Sequence, residues 1–271
     1  MSLPGNAYVI DSNGNAVTAL YGQGKKRATI PVGNSPYSIV VNSLTNKIYV
    51  ANALDNTVTM IDGATNATTT IPVGNRPVRV ALNPNTNKIY VSNMFAGTVT
   101  IIDGDTNLTT DVPVGSTPYN LAVNPVTDEI YVINNNVAGS VTVIDGRTNS
   151  TSVVPVDQQP VIVAINPITN KVYVTYDLRG EMTVIDGATK STTNLTLSTG
   201  LTEVNTIAIN EVTNTIYVDN LQSEDLIVID GATNQVGLQH VGPNATGVCV
   251  DLATNSVYVS LDGGTVTIVR E

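Results

Sequence analysis

Few side chains of this sequence are suited to acid–base, redox or metal chemistry. The chain has one histidine, His240, and one cysteine, Cys249. A zinc or haem site needs several imidazole or thiolate ligands, and a serine–histidine–acid arrangement would have to use the same histidine. His240 lies at the end of a predicted outer strand, far from the channel mouth. The sequence therefore predicts no catalytic residue, no transition-metal centre and no cofactor.

Acidic residues form one group that is suited to a hard cation. Glu203, Asp219, Glu224 and Asp225 fall on two neighbouring connections. Carboxylate oxygens are the ligands that calcium prefers, so these four are weak calcium candidates. The chain carries a formal charge of −10, and a solvated acidic rim is the alternative interpretation.

An internal repeat sets the elements that would position these residues. The segments NKIYVAN, NKIYVSN and DEIYVIN occur at 46–52, 87–93 and 128–134. Their tyrosine recurs at intervals of 41, 41, 41, 42, 44 and 41 residues, at Tyr8, Tyr49, Tyr90, Tyr131, Tyr173, Tyr217 and Tyr258. A unit of about 40 residues with four short strands is typical of a β-propeller blade. We therefore expect a single all-β propeller domain over residues 1–271.

Each full unit contains four strand-like runs, which we name a to d. In the second unit these are YSIVVN (37–42), KIYVAN (47–52), TVTMID (57–62) and ATTTIPV (67–73). An NPxTN-type turn joins a to b, and a DGxTN turn, whose aspartate is expected to cap it, joins c to d. The first unit lacks run a and the last lacks run d, which favours seven blades with incomplete first and last members. The alternative is six blades, with the run at 246–251 completing the first and a surplus hairpin at 256–269.

The repeated segment has a structural explanation. Side chains alternate along a strand, so Ile48 and Val50 face one side of the blade and Tyr49 the other. A blade that is sandwiched between two neighbours needs bulk on both sides. Cys249 stands where other inner strands carry Val40 or Ala81, and we interpret it as a small buried hydrophobe.

The connections divide into a uniform set and a variable set. The a–b and c–d turns lie at one end of each unit and keep nearly the same sequence, whereas the b–c and d–a connections at the other end differ between units. Loops on a rigid scaffold are where binding residues collect, so we expect any binding site at the variable end.

Several residues at that end are candidates for ligand or partner binding. Arg79 is the one charge among the residues that begin the inner strands, and its guanidinium suits a carboxylate or another anion. Tyr37 and Tyr119 would stack on a ligand or else close the channel. Asn120, the residue after Tyr119, is a further candidate for ligand binding. A partner-binding patch would use three residues of the variable loops: Phe95, Tyr176 and Arg179.

Composition excludes some partners. A pI near 4.4 disfavours binding to phosphate backbones, so no nucleic acid is expected. No apolar run approaches the length of a membrane span. No signal peptide is recognisable in the first residues.

The repeats resemble those of a known family. The segments YVAN (49–52), YVSN (90–93), YVIN (131–134) and YVDN (217–220) are similar to the repeats of YVTN β-propellers. That family includes archaeal and bacterial surface-layer and secreted proteins, so the resemblance implies an extracellular or cell-surface location. Its motif is not catalytic, and it implies no active residue.

Two functions with a ligand or substrate are consistent with these observations, and a third interpretation is a purely structural module of a longer surface protein with no ligand of its own. The first is a non-enzymatic extracellular scaffold that binds a protein, glycan or neighbouring subunit through the variable end. The second is an enzyme of the lactonase or lyase type with its site at the channel mouth near Arg79. Fold does not decide between them.

Overall fold

The computed structural model describes residues 6–22, 26–176, 179–197, 204–221 and 223–270. These residues form β-strands joined by short turns, as the abundance of Val, Ile, Thr and Tyr in alternating runs favours. No helix of membrane-spanning length and hydropathy occurs in the described ranges. The chain divides into two compact units, Met1–Pro125 and Val126–Glu271.

The first unit contains strands β1 to β12. Their bounds are β1 (Ala7–Asp11), β2 (Ala16–Tyr21), β3 (Lys26–Pro31), β4 (Pro36–Asn42), β5 (Lys47–Asn52), β6 (Thr57–Asp62), β7 (Thr68–Pro72), β8 (Pro77–Asn83), β9 (Lys88–Asn93), β10 (Thr98–Asp103), β11 (Thr109–Pro113) and β12 (Pro118–Asn124).

The second unit contains strands β13 to β26. Their bounds are β13 (Glu129–Asn134), β14 (Ser140–Asp145), β15 (Thr151–Pro155), β16 (Pro160–Asn166), β17 (Lys171–Tyr176), β18 (Glu181–Asp186), β19 (Thr192–Thr196), β20 (Ile207–Asn210), β21 (Thr215–Val218), β22 (Asp225–Asp230), β23 (Val236–His240), β24 (Ala245–Asp251), β25 (Ser256–Leu261) and β26 (Thr265–Arg270).

The strands form seven antiparallel sheets, which confirms the β-propeller prediction with seven blades. The first sheet (β1–β3) and the last (β24–β26) have three strands each, and the five sheets between them have four. The six-bladed alternative is wrong. β24 pairs with β25, with Cys249 opposite Tyr258, so the run at 246–251 belongs to the last sheet and leaves no surplus hairpin.

The repeated tyrosine strand packs on both of its faces, as alternation predicts. Ile48 and Val50 join Val17 and Ile30 in one cluster, whereas Tyr49 joins a second cluster with residues of β8 and β9. Tyr49 and its equivalents in the four-stranded sheets are at most 2% exposed. Burial of a side chain of this size contributes about 1.5–3 kcal/mol.

The uniform turns are held by their own side chains. Asn42 Oδ1 accepts the N–H groups of Leu44 and Thr45, and Asp62 Oδ1 accepts those of Ala64 and Thr65, as the predicted cap requires. The two turns meet where the Gly63 N–H donates to the carbonyl of Asn46 at 2.8 Å. The a–b and c–d turns therefore share one end of the blade.

Cys249 differs from its prediction, because it is exposed. Val248 and Val250 on either side of it face a cluster that contains Tyr217 and Leu226. Strand alternation therefore directs the thiol the opposite way.

Candidate functional site

The inner strands of the first unit begin with a bulge that positions the candidate residues. In β4, Pro36 pairs with Asn52 and Ser38 with Ala51, which leaves Tyr37 as an extra residue. The same shift in β8 leaves Val78 unpaired and places Arg79 opposite Ser92. A bulge re-aims side chains at the end of a strand, so each inner strand presents its first residues at the variable end.

Arg79 lies between the two predicted tyrosines. Its Cζ atom is 5.4 Å from the ring centroid of Tyr37 and 5.7 Å from that of Tyr119. The hydroxyl oxygens of Tyr37 and Tyr119 are 3.4 Å apart, so the two rings enclose the guanidinium together. A cation near an aromatic face is attracted by about 0.5–1 kcal/mol at exposed sites and by more where it is desolvated. We name these three residues the arginine site.

The charge of Arg79 is not neutralised by an ion pair. Arg79 takes no part in the ion pairs seen among the described residues, such as those of Arg147 with Asp145, Lys190 with Glu129 and His240 with Asp225. Tyr37 is 44% exposed and Arg79 is half-buried, so an anion from solution has access to this surface. The arrangement is chemically suited to a carboxylate, which the guanidinium binds while the tyrosines contact the body of the ligand.

Neighbouring hydroxyl groups fix the strands that carry this site. Ser38 Oγ accepts the N–H of Val80, and Ser92 Oγ donates to the carbonyl of Tyr119. Asn120 lies beside Tyr119 in β12 and is partly buried.

A second arginine stacks on the predicted Phe95. Arg76 Cζ lies 5.4 Å from the Phe95 ring centroid, and the Arg76 N–H donates to Asn56 Oδ1 at 2.9 Å. Phe95 is 64% exposed, and Leu54 at the same position of the preceding b–c loop is 63% exposed. Sequence reasoning missed Arg76. Its position could have identified it as a candidate, because it lies three residues before Arg79, in a d–a connection at the variable end.

Tyr176 does not belong to a partner patch, because it is only 1% exposed. Its hydroxyl lies 2.5 Å from Thr183 Oγ1 and accepts the Asp157 N–H at 3.2 Å. In other repeats this position is an asparagine that faces a glycine; a Cβ atom at Gly74, for example, would lie 2.6 Å from Asn93 Nδ2. In this blade Tyr176 replaces the asparagine and Asp157 replaces the glycine, and the tyrosine side chain is buried. Arg179 is partly buried elsewhere, in the loop that follows β17.

The calcium candidates are not assembled into a metal site. Asp219 is fully buried and accepts the N–H groups of Asn205 and Thr206 and the Thr206 hydroxyl. Burial raises the pKa of this carboxyl above its ordinary value. Asp225 Oδ1 is 3.3 Å from His240 Nδ1, Glu224 is exposed, and Glu203 lies outside the described residues. In the described part of the chain, no three acidic, histidine or cysteine side chains are grouped to hold a metal ion.

A hydroxyl-rich cavity lies apart from the arginine site. It has a volume of about 390 Å³ and is lined by Pro31, Gly33, Asp55, Thr59 and Thr70, among others. Hydrogen bonds from the Asn34 backbone and side chain lower the pKa of Asp55, so the cavity carries a negative charge. It is therefore less suited to an anion than the arginine site.

The fold places the chain among proteins with β-propeller architecture. It is similar to hydrazine synthase from Kuenenia stuttgartiensis, with a TM-score of 0.78, 15% identity, and coverage of 98% of this chain and 92% of that one. It is also similar to virginiamycin B lyase from Staphylococcus aureus, with a TM-score of 0.79, 11% identity and coverage of 98% and 92%. A third similar structure is dihydro-heme d1 dehydrogenase NirN in complex with DHE, with a TM-score of 0.80 and 14% identity. This chain is covered over 97% of its length and spans 60% of the NirN chain.

These likenesses show the fold alone, since every identity is far below the level at which function is shared. No protein-family model matches the chain, and no curated protein matches it in sequence.

Proposed function

We propose that this protein is a non-enzymatic recognition propeller that binds a carboxylate-bearing ligand at the arginine site. The observation that carries the proposal is Arg79, a cation between Tyr37 and Tyr119 with no ion-pair partner among the described residues. A guanidinium offers a planar set of donors that matches a carboxylate, and Arg79, which is half-buried, has no such partner in the described part of its own chain. A carboxylate from a ligand would supply that partner.

The cellular context of the proposal rests on the resemblance of the repeats. The YVAN, YVSN, YVIN and YVDN segments are similar to YVTN repeats, and we propose that the chain belongs with those extracellular or cell-surface propellers. In that setting the natural ligand would be carried by a protein or a glycan, and both present carboxylates on a larger apolar or sugar body.

The lactonase- or lyase-type alternative has no comparable support. Such a reaction needs an acid or a base beside the substrate. No carboxylate forms an ion pair with Arg79 among the described residues, the two groups known to stack on it are the phenols of Tyr37 and Tyr119, and the single imidazole of the chain is paired with Asp225.

The test is a thermal-shift titration with galacturonate, with galactose as the neutral ligand of the same shape. At one hundred times the dissociation constant, a ligand stabilises the folded state by about 2.7 kcal/mol. We expect galacturonate alone to raise the melting temperature. Arg79→Gln should weaken its binding by about tenfold or more, since a hydrogen bond to a charged group contributes about 1.5–3 kcal/mol.

The control is Arg147→Gln, which removes an exposed arginine that is already paired with Asp145 at 3.1 Å. It should leave the galacturonate shift unchanged. An equal shift for both sugars, or an unchanged shift in Arg79→Gln, would disprove the proposed site. If NMR shows that the ligand is consumed, the protein is an enzyme and the proposal of a non-enzymatic binding site is wrong.

A further inference from the structure

The a–b turns at the uniform end of the second unit carry exposed aliphatic side chains. The third residue of three successive turns is Val126, Ile168 and Val212, which are 72%, 69% and 74% exposed, and the last turn carries Leu252, its second residue, which is 46% exposed. We name them the turn-tip residues. The turn itself does not require an aliphatic residue there. In the first unit the same position is Leu44 in one turn, where it is 74% exposed, and Asn85 in the other, and the last residue of the Asn85 turn, Asn87, has a φ of 52° like its equivalents.

Buried asparagines hold neighbouring turns together at this end. Asn166 Nδ2 donates to Asn214 Oδ1 at 2.8 Å, and Asn210 Nδ2 donates to Asn255 Oδ1 at 2.6 Å. Asn166 and Asn210 are fully buried. The turns that carry Ile168, Val212 and Leu252 are therefore joined to one another rather than independent.

Negative charge lies at the same end of the blades as these side chains. Asp186, Asp230 and Asp251 lie in turns of the same end, and hydrogen bonds from their own turns lower the pKa of each carboxyl. They are therefore ionised at neutral pH.

Three cations of this end are already engaged within the unit, whereas Arg270, at the end of β26, is exposed. Arg147 pairs with Asp145, Lys171 donates to the Gly231 carbonyl, and Lys190 pairs with Glu129. Residues 126–271 contain sixteen acidic residues and five lysines or arginines. An apolar surface with an excess of carboxylates remains.

We infer that this end of the second unit docks a basic amphipathic protein segment. The turn-tip residues would contact the apolar side of the segment, and the turn aspartates would face its lysines and arginines. A second copy of this chain is a poorer occupant, because it would bring two acidic surfaces together. This interface lies at the uniform end and is independent of the arginine site.

The probe is a fluorescently labelled synthetic helix of leucine and lysine, with a glutamate-for-lysine helix as the matched acidic peptide. Fluorescence anisotropy measures binding to the whole chain. We expect the basic peptide to bind, to bind more weakly as salt increases, and the acidic peptide not to bind.

The variants replace turn-tip residues by the asparagine that the chain itself uses at Asn85. The triple variant Ile168→Asn, Val212→Asn and Leu252→Asn should bind the basic peptide about tenfold or more weakly, since three apolar contacts are lost. Val137→Asn is the control, because Val137 is 78% exposed in a b–c loop of the other end. It should bind like the unchanged protein. Circular dichroism and melting temperature establish that each variant is folded.

Equal binding by the triple variant and the unchanged protein would overturn the inference, because charge alone would then account for it. Equal weakening by Val137→Asn would also overturn it. Reversible dimers in sedimentation that the triple variant abolishes, with no peptide binding, would assign the surface to a second copy instead.

Discussion

Asp219 and the turn aspartates show how position decides the behaviour of one residue type. Asp103 lies in an exposed turn, where backbone and hydroxyl hydrogen bonds from Thr106 lower the pKa of its carboxyl. Asp219 accepts comparable hydrogen bonds, but its complete burial outweighs them and raises the pKa. Other repeats have Ala51 or Ser92 at this position, so the buried carboxyl is particular to one blade.

Replacement of Asp219 by asparagine should change how stability depends on pH. A raised folded-state pKa gives a stabilising contribution that is present below the ordinary value of 3.8 and is lost as pH rises through the folded pKa. We therefore expect Asp219→Asn to gain stability relative to the unchanged protein as pH rises from about 3 to 7. Urea unfolding across this range measures the difference. Parallel curves would show that the carboxyl titrates alike in the folded and unfolded states.

At the scale of elements, one junction between neighbouring blades differs in charge from its counterparts. The tyrosine strands β5, β9 and β17 begin with lysine, and the ammonium groups of Lys47 and Lys171 donate to a glycine carbonyl of the next c–d turn. Lys171 Nζ to Gly231 O, at 2.5 Å, is an example. In β13 this residue is Glu129, and the turn opposite it carries Lys190 in place of the usual asparagine. The two form a salt bridge at 2.6 Å, and Lys190 also donates to the Tyr131 hydroxyl at 2.8 Å.

A double-mutant cycle tests whether the two residues are a matched pair. Lys190→Asn should cost about 2 kcal/mol, because it leaves the half-buried Glu129 without its cation. Adding Glu129→Lys to Lys190→Asn recreates the ordinary junction and should recover most of that loss. Urea unfolding of the four proteins gives the coupling energy. Additive losses would mean that the two side chains act independently.

The difference between repeated positions and single substitutions explains what could be predicted from the sequence. Strands, turns and blade number were readable because each repeats several times, and repetition separates a structural pattern from local variation. Tyr176 and Cys249 were misplaced because each is a single substitution within the pattern. The burial of Tyr176 depends on Asp157, which is 19 residues away in sequence. The arginine site brings Tyr37, Arg79 and Tyr119 together from three blades, and the contacts between those rings could not be read from periodicity.

At the scale of the whole molecule, charge is divided unevenly along the chain. Residues 1–125 contain seven lysines and arginines against six aspartates, whereas residues 126–271 contain five against sixteen acidic residues. The two proposed binding surfaces follow this division. The arginine site lies in the nearly neutral part and the turn-tip surface in the acidic part, so their ligands should have opposite charge.

Acid should destabilise the molecule through its repeated turns. The pKa values of Asp62, Asp103, Asp145, Asp186 and Asp230 are all lowered by hydrogen bonds from their own turns. Their contribution is present above the ordinary value of 3.8 and is lost as pH falls through the lowered folded values. We expect the melting temperature to fall steeply below that value, and less steeply in Asp103→Asn. Identical acid dependence in the two proteins would refute this assignment.

The Glu129–Lys190 junction also bears on how a chain of near-identical repeats finds its order. Segments as alike as NKIYVAN and NKIYVSN can exchange places while the chain folds, and misassembly of this kind is characteristic of repeat proteins. Lys190 disfavours such exchange, because a strand that begins with lysine would bring a second ammonium group against it. Glu129 begins the one tyrosine strand with a carboxylate at that position. The pair thus favours the correct position of the fourth blade over an exchange with another repeat.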